Sequence, residues 1–242
     1  MTEIGMKRHA KAAYGEVKDL GGLRAFWSGE WLLKLIQRSL REPPRLELYG
    51  QVDNPEQAVR RLSRAAARKA GIAGIAVGSA VSLDELIALL TAGEAGMGIP
   101  ANIAVAGLAV CAELFYVTRL QLKLVQSIAR LHGKALDADN PEDLLTAFSI
   151  TLGALANDPN VGMGSKVGIA EVQHHLSHEM RGRLKQVARK AGIRIFRRSV
   201  LKAAFPVVSI ATSASANYRN TTAIAAAAAH HFRGSAVTLV VS

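Results

Sequence analysis

RRLSRAAARKAGIAGIAVGSAVSL, residues 60–83, begins as a basic helix and ends as a run of small apolar residues without charge. Arg60, Arg64 and Arg68 are spaced four apart, which places them in one row along a helix. The hexamer ARKAGI within it (Ala67–Ile72) recurs at Ala188–Ile193. Superposing the hexamers also aligns Arg60, Arg64, Arg68 and Lys69 with Arg181, Lys185, Arg189 and Lys190. A further basic row, Lys190, Arg194, Arg198 and Lys202, continues the second copy, whose apolar face is expected at Leu184, Val187, Ala191 and Ile195. After the glycine the copies diverge. The repeat therefore predicts two basic helices, each introducing an apolar helical hairpin, with weak internal symmetry.

Working outward, uncharged small-residue runs cover Ala70–Leu83, Ala95–Ala112, Ala203–Tyr218 and Asn220–Phe232, with His counted as neutral. A spanning helix needs about 20 predominantly apolar residues. The run at 95–112 approaches that, but Pro100, Asn102 and its glycines dilute it. Burial in a helical core, or reversible insertion, is the expectation. Phe115–Gly133 reads as an amphipathic helix with Leu120, Leu124, Ile128 and Leu131 in a stripe and Gly133 at its end. DNPE occurs at Asp53–Glu56 and again at Asp139–Glu142, each predicting a helix start: Asn as cap, Pro first, Glu in the first turn. Sustained alternation is missing until the tail AVTLVVS. The fold class is all-α: a compact helical domain over 53–242, preceded by an N-terminal helical segment and linker over 1–52.

In that N-terminal segment Trp27, Trp31 and Leu35 fall in one helical row, with Lys34, Arg38 and Arg41 interspersed and Pro43-Pro44 ending the helix. The row reads as a docking helix. Trp beside basic residues also admits a membrane-interface role for Trp27 and Trp31.

The net charge is +11, and its location matters. Residues 180–242 hold 11 Lys and Arg and no carboxylate, whereas the preceding residues are balanced. A positive end on a neutral body points to an anionic partner: a lipid surface, nucleic acid or an acidic protein. The single cysteine, Cys111, excludes a disulfide framework and a Cys-based zinc site. The N-terminus lacks the basic-then-apolar pattern of a secretory signal, so a cytoplasmic location is expected.

Three stretches resemble the EcsC family of bacterial proteins, and together they span roughly residues 60–233. They are the opening stretch at 60–83; LQLKLVQSIARLHGKALDADNPEDLLTAF at 120–148; and PVVSIATSASANYRNTTAIAAAAAHHFR at 206–233. The last is the most specific, with Pro206, Asn217-Tyr218 and Phe232-Arg233 matching the family's pattern. Its small-residue run is rich in Ala and Ser where the family favours Gly. The resemblance implies an accessory role to a transport or secretion system, and it carries over no catalytic residue.

Of the candidate sites, the helix EVQHHLSHEM places Glu171, His174 and His178 on one face, a conceivable zinc or iron site with His230-His231 as a remote source of ligands. The second Glu-x-x-His of a di-iron bundle is absent, and so is His-Glu-x-x-His. NVGMGSK lacks the Gly-Lys pair of a phosphate loop, and no Gly-x-Ser-x-Gly elbow occurs. Asp84-Glu85 reads as a hairpin edge, and Glu113 as a partner for a ridge arginine. No cofactor is required by this reading. The expected function is a non-enzymatic protein peripheral to the inner face of the cell membrane. It meets anionic lipid through Arg60, Arg64, Arg68, Lys69, Arg181, Lys185, Arg189, Lys190, Arg194, Arg198 and Lys202, with a transporter or a second copy as possible partner. A metal-dependent enzyme built on Glu171, His174 and His178, or a nucleic-acid-binding protein, is the alternative.

Overall fold

The computed structural model describes residues 19–42, 54–78, 101–156, 180–203 and 206–236. Among these the chain forms seven helices: α1 (Gly22–Ser28), α2 (Glu30–Arg41), α3 (Pro55–Gly78), α4 (Ala101–Leu131), α5 (Pro141–Ala156), α6 (Met180–Ala203) and α7 (Pro206–Ala236). The described regular structure is entirely helical, as the periodicity predicts. The tail AVTLVVS after its first residue, Ala236, the loop NVGMGSK and Asp84-Glu85 lie outside the described residues.

Both DNPE signals work as read. The Asn54 side-chain oxygen accepts the Glu56 amide at 2.9 Å, and α3 starts at Pro55. The Asn140 oxygen does the same for Glu142 at 2.9 Å, and α5 starts at Pro141. These bonds satisfy amides that the first helical turn leaves free. At the other end of α4, Gly133 adopts φ 76° and the Lys134 amide reaches back to the Ala129 carbonyl at 2.9 Å, closing the helix where the sequence predicts.

Helix lengths depart from the sequence reading. The uncharged run and the amphipathic stripe merge into the single 31-residue α4, because nothing between Pro100 and Gly133 breaks a helix. Likewise α3 runs through Gly71 to Gly78 and α6 through Gly192 to Ala203, so the hexamer glycine ends neither helix. Beyond α3 the expected hairpin lies outside the described residues, whereas beyond α6 most of the run Ala203–Tyr218 is helical in α7. The N-terminal row is split instead: Gly29, at φ 74°, separates Trp27 on α1 from Trp31 and Leu35 on α2.

The chain divides into two compact units, each assembled from separated stretches of the sequence. The first comprises the described residues within Met1–Leu35, Ala70–Val117 and Lys185–Asn217. Its aromatic core stacks Phe26 on Trp31 with centroids 4.8 Å apart and sets Phe196 against Phe26 at 5.9 Å and against Trp27 at 5.1 Å. Trp31 is fully buried, and its indole N–H points to the Gly192 carbonyl at 3.4 Å. The α1–α2 corner meets α6 at two glycines. A Cβ on Gly29 would overlap the Arg189 carbonyl, and one on Gly192 would come within 2.7 Å of the Gly29 carbonyl oxygen. The buried row of α6 is thus Ala188, Gly192 and Phe196, one residue beyond the expected Val187, Ala191 and Ile195, which are half-buried. Backbone contact through small residues, rather than side-chain size, chose the face.

The second unit comprises the described residues within Ile36–Lys69, Thr118–Leu184 and Tyr218–Ser242. Its centre is α4 between Gln121 and Ala129, where only Lys123 is more than marginally exposed. Leu122, Val125, Ile128 and Ala129 have essentially no exposed surface, while Leu120 and Leu131 of the expected stripe are half-buried. The helix is therefore covered on most sides rather than along one stripe. The polar groups this buries are matched: Gln121 Nε2 donates to the Thr221 hydroxyl at 3.2 Å, and Gln126 Nε2 to the Leu40 carbonyl at 2.9 Å. The same unit also buries Ala58, Leu62 and Ala66 of α3, Leu144 and Phe148 of α5, and Ile224, Ala228 and Phe232 of α7.

Candidate anion-binding surface

On α3 the buried row Ala58, Leu62, Ala66 fixes where the basic row must point. Positions 60, 64 and 68 lie two residues further on, about 200° around the helix, and so face away from the core. Arg60, Arg64, Arg68 and Lys69 are all exposed, and Arg61, which the row reading passed over, joins them. Among the described residues none of these five cations is paired with a carboxylate.

Several other cations of this unit are engaged by carboxylates. Arg41 pairs with Asp139 at 2.9 Å, Arg233 with Glu56 at 3.2 Å, and Lys134 approaches Asp143 at 3.8 Å. Glu42, just beyond the end of α2, gathers three: Arg119 Nη2 at 2.6 Å and Lys123 Nζ at 2.9 Å, both on Oε2, and Arg38 Nε at 3.8 Å from Oε1. Partial burial pushes the Glu42 carboxyl up, but hydrogen bonds and charge from Arg119 and Lys123 outweigh it and hold the group below its ordinary value. The described carboxylates that accept cations thus serve α2, α4, α7 and the turn after α4, and leave the α3 row to solvent.

In the first unit the second ARKAGI copy exposes Lys185, Arg189, Lys190 and Arg194, and Arg197 joins them. Arg189 is partly committed, since its Nε donates to the Ser28 carbonyl at 2.9 Å. Arg181, Arg198 and Lys202 belong to α6, but their side chains are outside the described residues. Both hexamers bury their first Ala and expose Arg-Lys; they diverge afterwards, with Ala70 buried in one and Gly192 in the other.

Other expectations resolve one by one. Trp31 as a membrane-interface residue is corrected: it has no exposed surface, and its ring stacks on Phe26. Trp27 is half-buried with its ring edge on Phe196. The docking reading is the one this packing supports. The Glu113 carboxylate accepts the Asn217 amide at 2.9 Å, and the same amide reaches the Ala70 carbonyl at 3.4 Å. Asn217, noted only as part of a motif, thus ties α7 to α3 and α4. Cys111 is fully buried, and burial pushes its thiol well above its ordinary range, which suits packing and not nucleophilic chemistry. The proposed metal ligands Glu171, His174 and His178 lie outside the described residues; among the described residues no cluster of three or more potential ligands occurs. His230 is exposed and His231 half-buried.

These features define the class: an all-α protein with exposed basic rows on two of its helices. Against protein-family models, curated proteins and solved structures, the chain has no match. Among the described residues no helix is long and apolar enough to cross a membrane.

Proposed function

We propose that this protein binds anionic membrane surfaces as a non-catalytic accessory of a bacterial transport or secretion system. The observation that carries the binding is the row on α3: Arg60, Arg61, Arg64, Arg68 and Lys69, exposed and unpaired among the described residues, opposite a buried apolar row. Unpaired cations keep their full attraction for an external anion, whereas a paired one must first give up its carboxylate. Near an anionic bilayer each contributes about 1 kcal/mol. The exposed cations of α6 supply a second basic surface. The accessory role rests on the resemblance of residues 60–233 to the EcsC family.

Liposome flotation tests the reading. The protein is expected to rise with phosphatidylglycerol vesicles and to stay down with phosphatidylcholine. Release by high salt identifies an electrostatic dock; survival of salt and carbonate washes identifies inserted apolar segments. If it floats with neither vesicle, the reading fails. Steeply salt-dependent affinity for DNA or RNA would then favour nucleic acid, and stoichiometric zinc or iron in the purified protein would favour the metal-dependent enzyme.

A further inference from the structure

We infer that the α3 row prefers lipids that carry two phosphates on one headgroup, a preference that rests on the membrane reading above. Every member of the row belongs to one helix and one compact unit, so its geometry is that of α3 alone. Arg60, Arg64 and Arg68 follow one another at four-residue steps, about 6 Å apart along the axis. Arg61 and Lys69 are exposed beside them. From Gln57 to Leu83 the sequence holds no carboxylate, and Glu56, just before, already meets Arg233 at 3.2 Å. Like charges one turn apart repel each other and weaken the helix that carries them. An anion arriving from outside relieves that repulsion, and one that spans neighbouring positions relieves more of it.

Residue type sharpens the match. Four of the five cations are arginines. A guanidinium presents a planar fork that holds a phosphate through two parallel hydrogen bonds, whereas an ammonium acts as a point charge. The gap between Arg60 and Arg64 offers one phosphate position, and that between Arg64 and Arg68 the next, one turn further on. Two singly charged lipids must be gathered from the bilayer plane to fill both. A headgroup whose three-carbon bridge holds two phosphates within about one helical turn of each other fills them together. Its second contact is intramolecular once the first is made. The row also stands on the outward face of a helix, which suits the flat array of phosphates at a bilayer; a soluble diphosphate is held best in a concave site. The matching row of α6 differs: Lys185 stands where α3 has Arg64, and the Arg189 Nε–H is given to the Ser28 carbonyl at 2.9 Å.

Vesicle binding tests the preference, with cardiolipin as the probe. Phosphatidylcholine vesicles carry either cardiolipin or phosphatidylglycerol at equal negative charge, in one fixed salt concentration. The wild type is expected to bind the cardiolipin vesicles several-fold more tightly. Arg60→Lys/Arg64→Lys/Arg68→Lys keeps every charge, so it should still bind phosphatidylglycerol vesicles but lose most of that preference. R24K/R130K/R219K, which alters exposed arginines elsewhere, should keep it. Equal affinity of the wild type for the two vesicles would overturn the preference and leave the membrane reading standing. So would a preference that survives in the α3 variant, or one that disappears in the control as well. Binding to neither vesicle would overturn the membrane reading and the preference together.

Discussion

Gly192 sits in the middle of a helix, where alanine would ordinarily be favoured by about 1 kcal/mol. Here the Gly29 carbonyl would stand 2.7 Å from the added carbon, and the obstacle is backbone that cannot rotate aside. Gly192→Ala is therefore expected to destabilise the protein by about 1–3 kcal/mol despite its better helix propensity, read from urea unfolding; a stabilised variant would refute the close packing. The repeated hexamer gave notice of a glycine here without telling why. Its partner Gly29 lies far away in sequence, so the contact was invisible to periodicity. The single-residue charges give a pH signature. Burial, then Lys134 and His230, lower the His231 pKa. The folded state therefore takes up its proton later than the unfolded chain does, so this group costs stability as pH falls below about 6.5. Glu42 is also lowered, so its contribution is present above the unfolded carboxylate pKa and lost as pH falls through the folded one. Unfolding midpoints measured between pH 7.5 and 5 should decline, and His231→Gln should flatten that slope.

Helix starts were the most legible elements. The two Asn-Pro-Glu signals are local chemistry, satisfied within three residues, so no tertiary knowledge was needed to place α3 and α5. Asn54→Ala and Asn140→Ala should each cost about 1 kcal/mol, measured by chemical denaturation, with little effect on lipid binding. The middle of α4 was harder. Gln121 and Gln126 lie outside the apolar stripe expected at Leu120, Leu124, Ile128 and Leu131, yet both are buried, because Thr221 and the Leu40 carbonyl answer them. A polar residue whose partner lies elsewhere in the chain looks like a solvent face until the partner is in view. Gln121→Leu should lower stability by leaving the Thr221 hydroxyl without this donor, whereas pairing it with Thr221→Val should recover much of the loss. A double-mutant cycle in urea reads this directly; additive losses would contradict the buried pair.

Across the whole molecule, charge was read correctly in amount but incompletely in place. A charge count along the sequence places the excess of cations at 180–242 and treats balanced regions as silent, whereas the row at 60–69 is legible only from its four-residue spacing. Residues 60–69 lie in such a balanced region, yet the described carboxylates pair with other cations and leave this row unpaired. Which cations stay unpaired is decided by tertiary structure, and this is the part of the surface that composition cannot give. Arg60→Gln/Arg64→Gln/Arg68→Gln is the variant that isolates it, and R24Q/R130Q/R219Q, exposed positions elsewhere, removes equal charge as the control. The most direct measurement is the affinity of both variants and the wild type for phosphatidylglycerol vesicles at one fixed salt concentration. The α3 row predicts a loss of about a hundredfold in the first variant, from about 1 kcal/mol for each cation removed, and a clearly smaller loss in the control. Equal losses would show that net charge alone sets the binding, and an unchanged first variant would show that the α3 row does not meet the membrane.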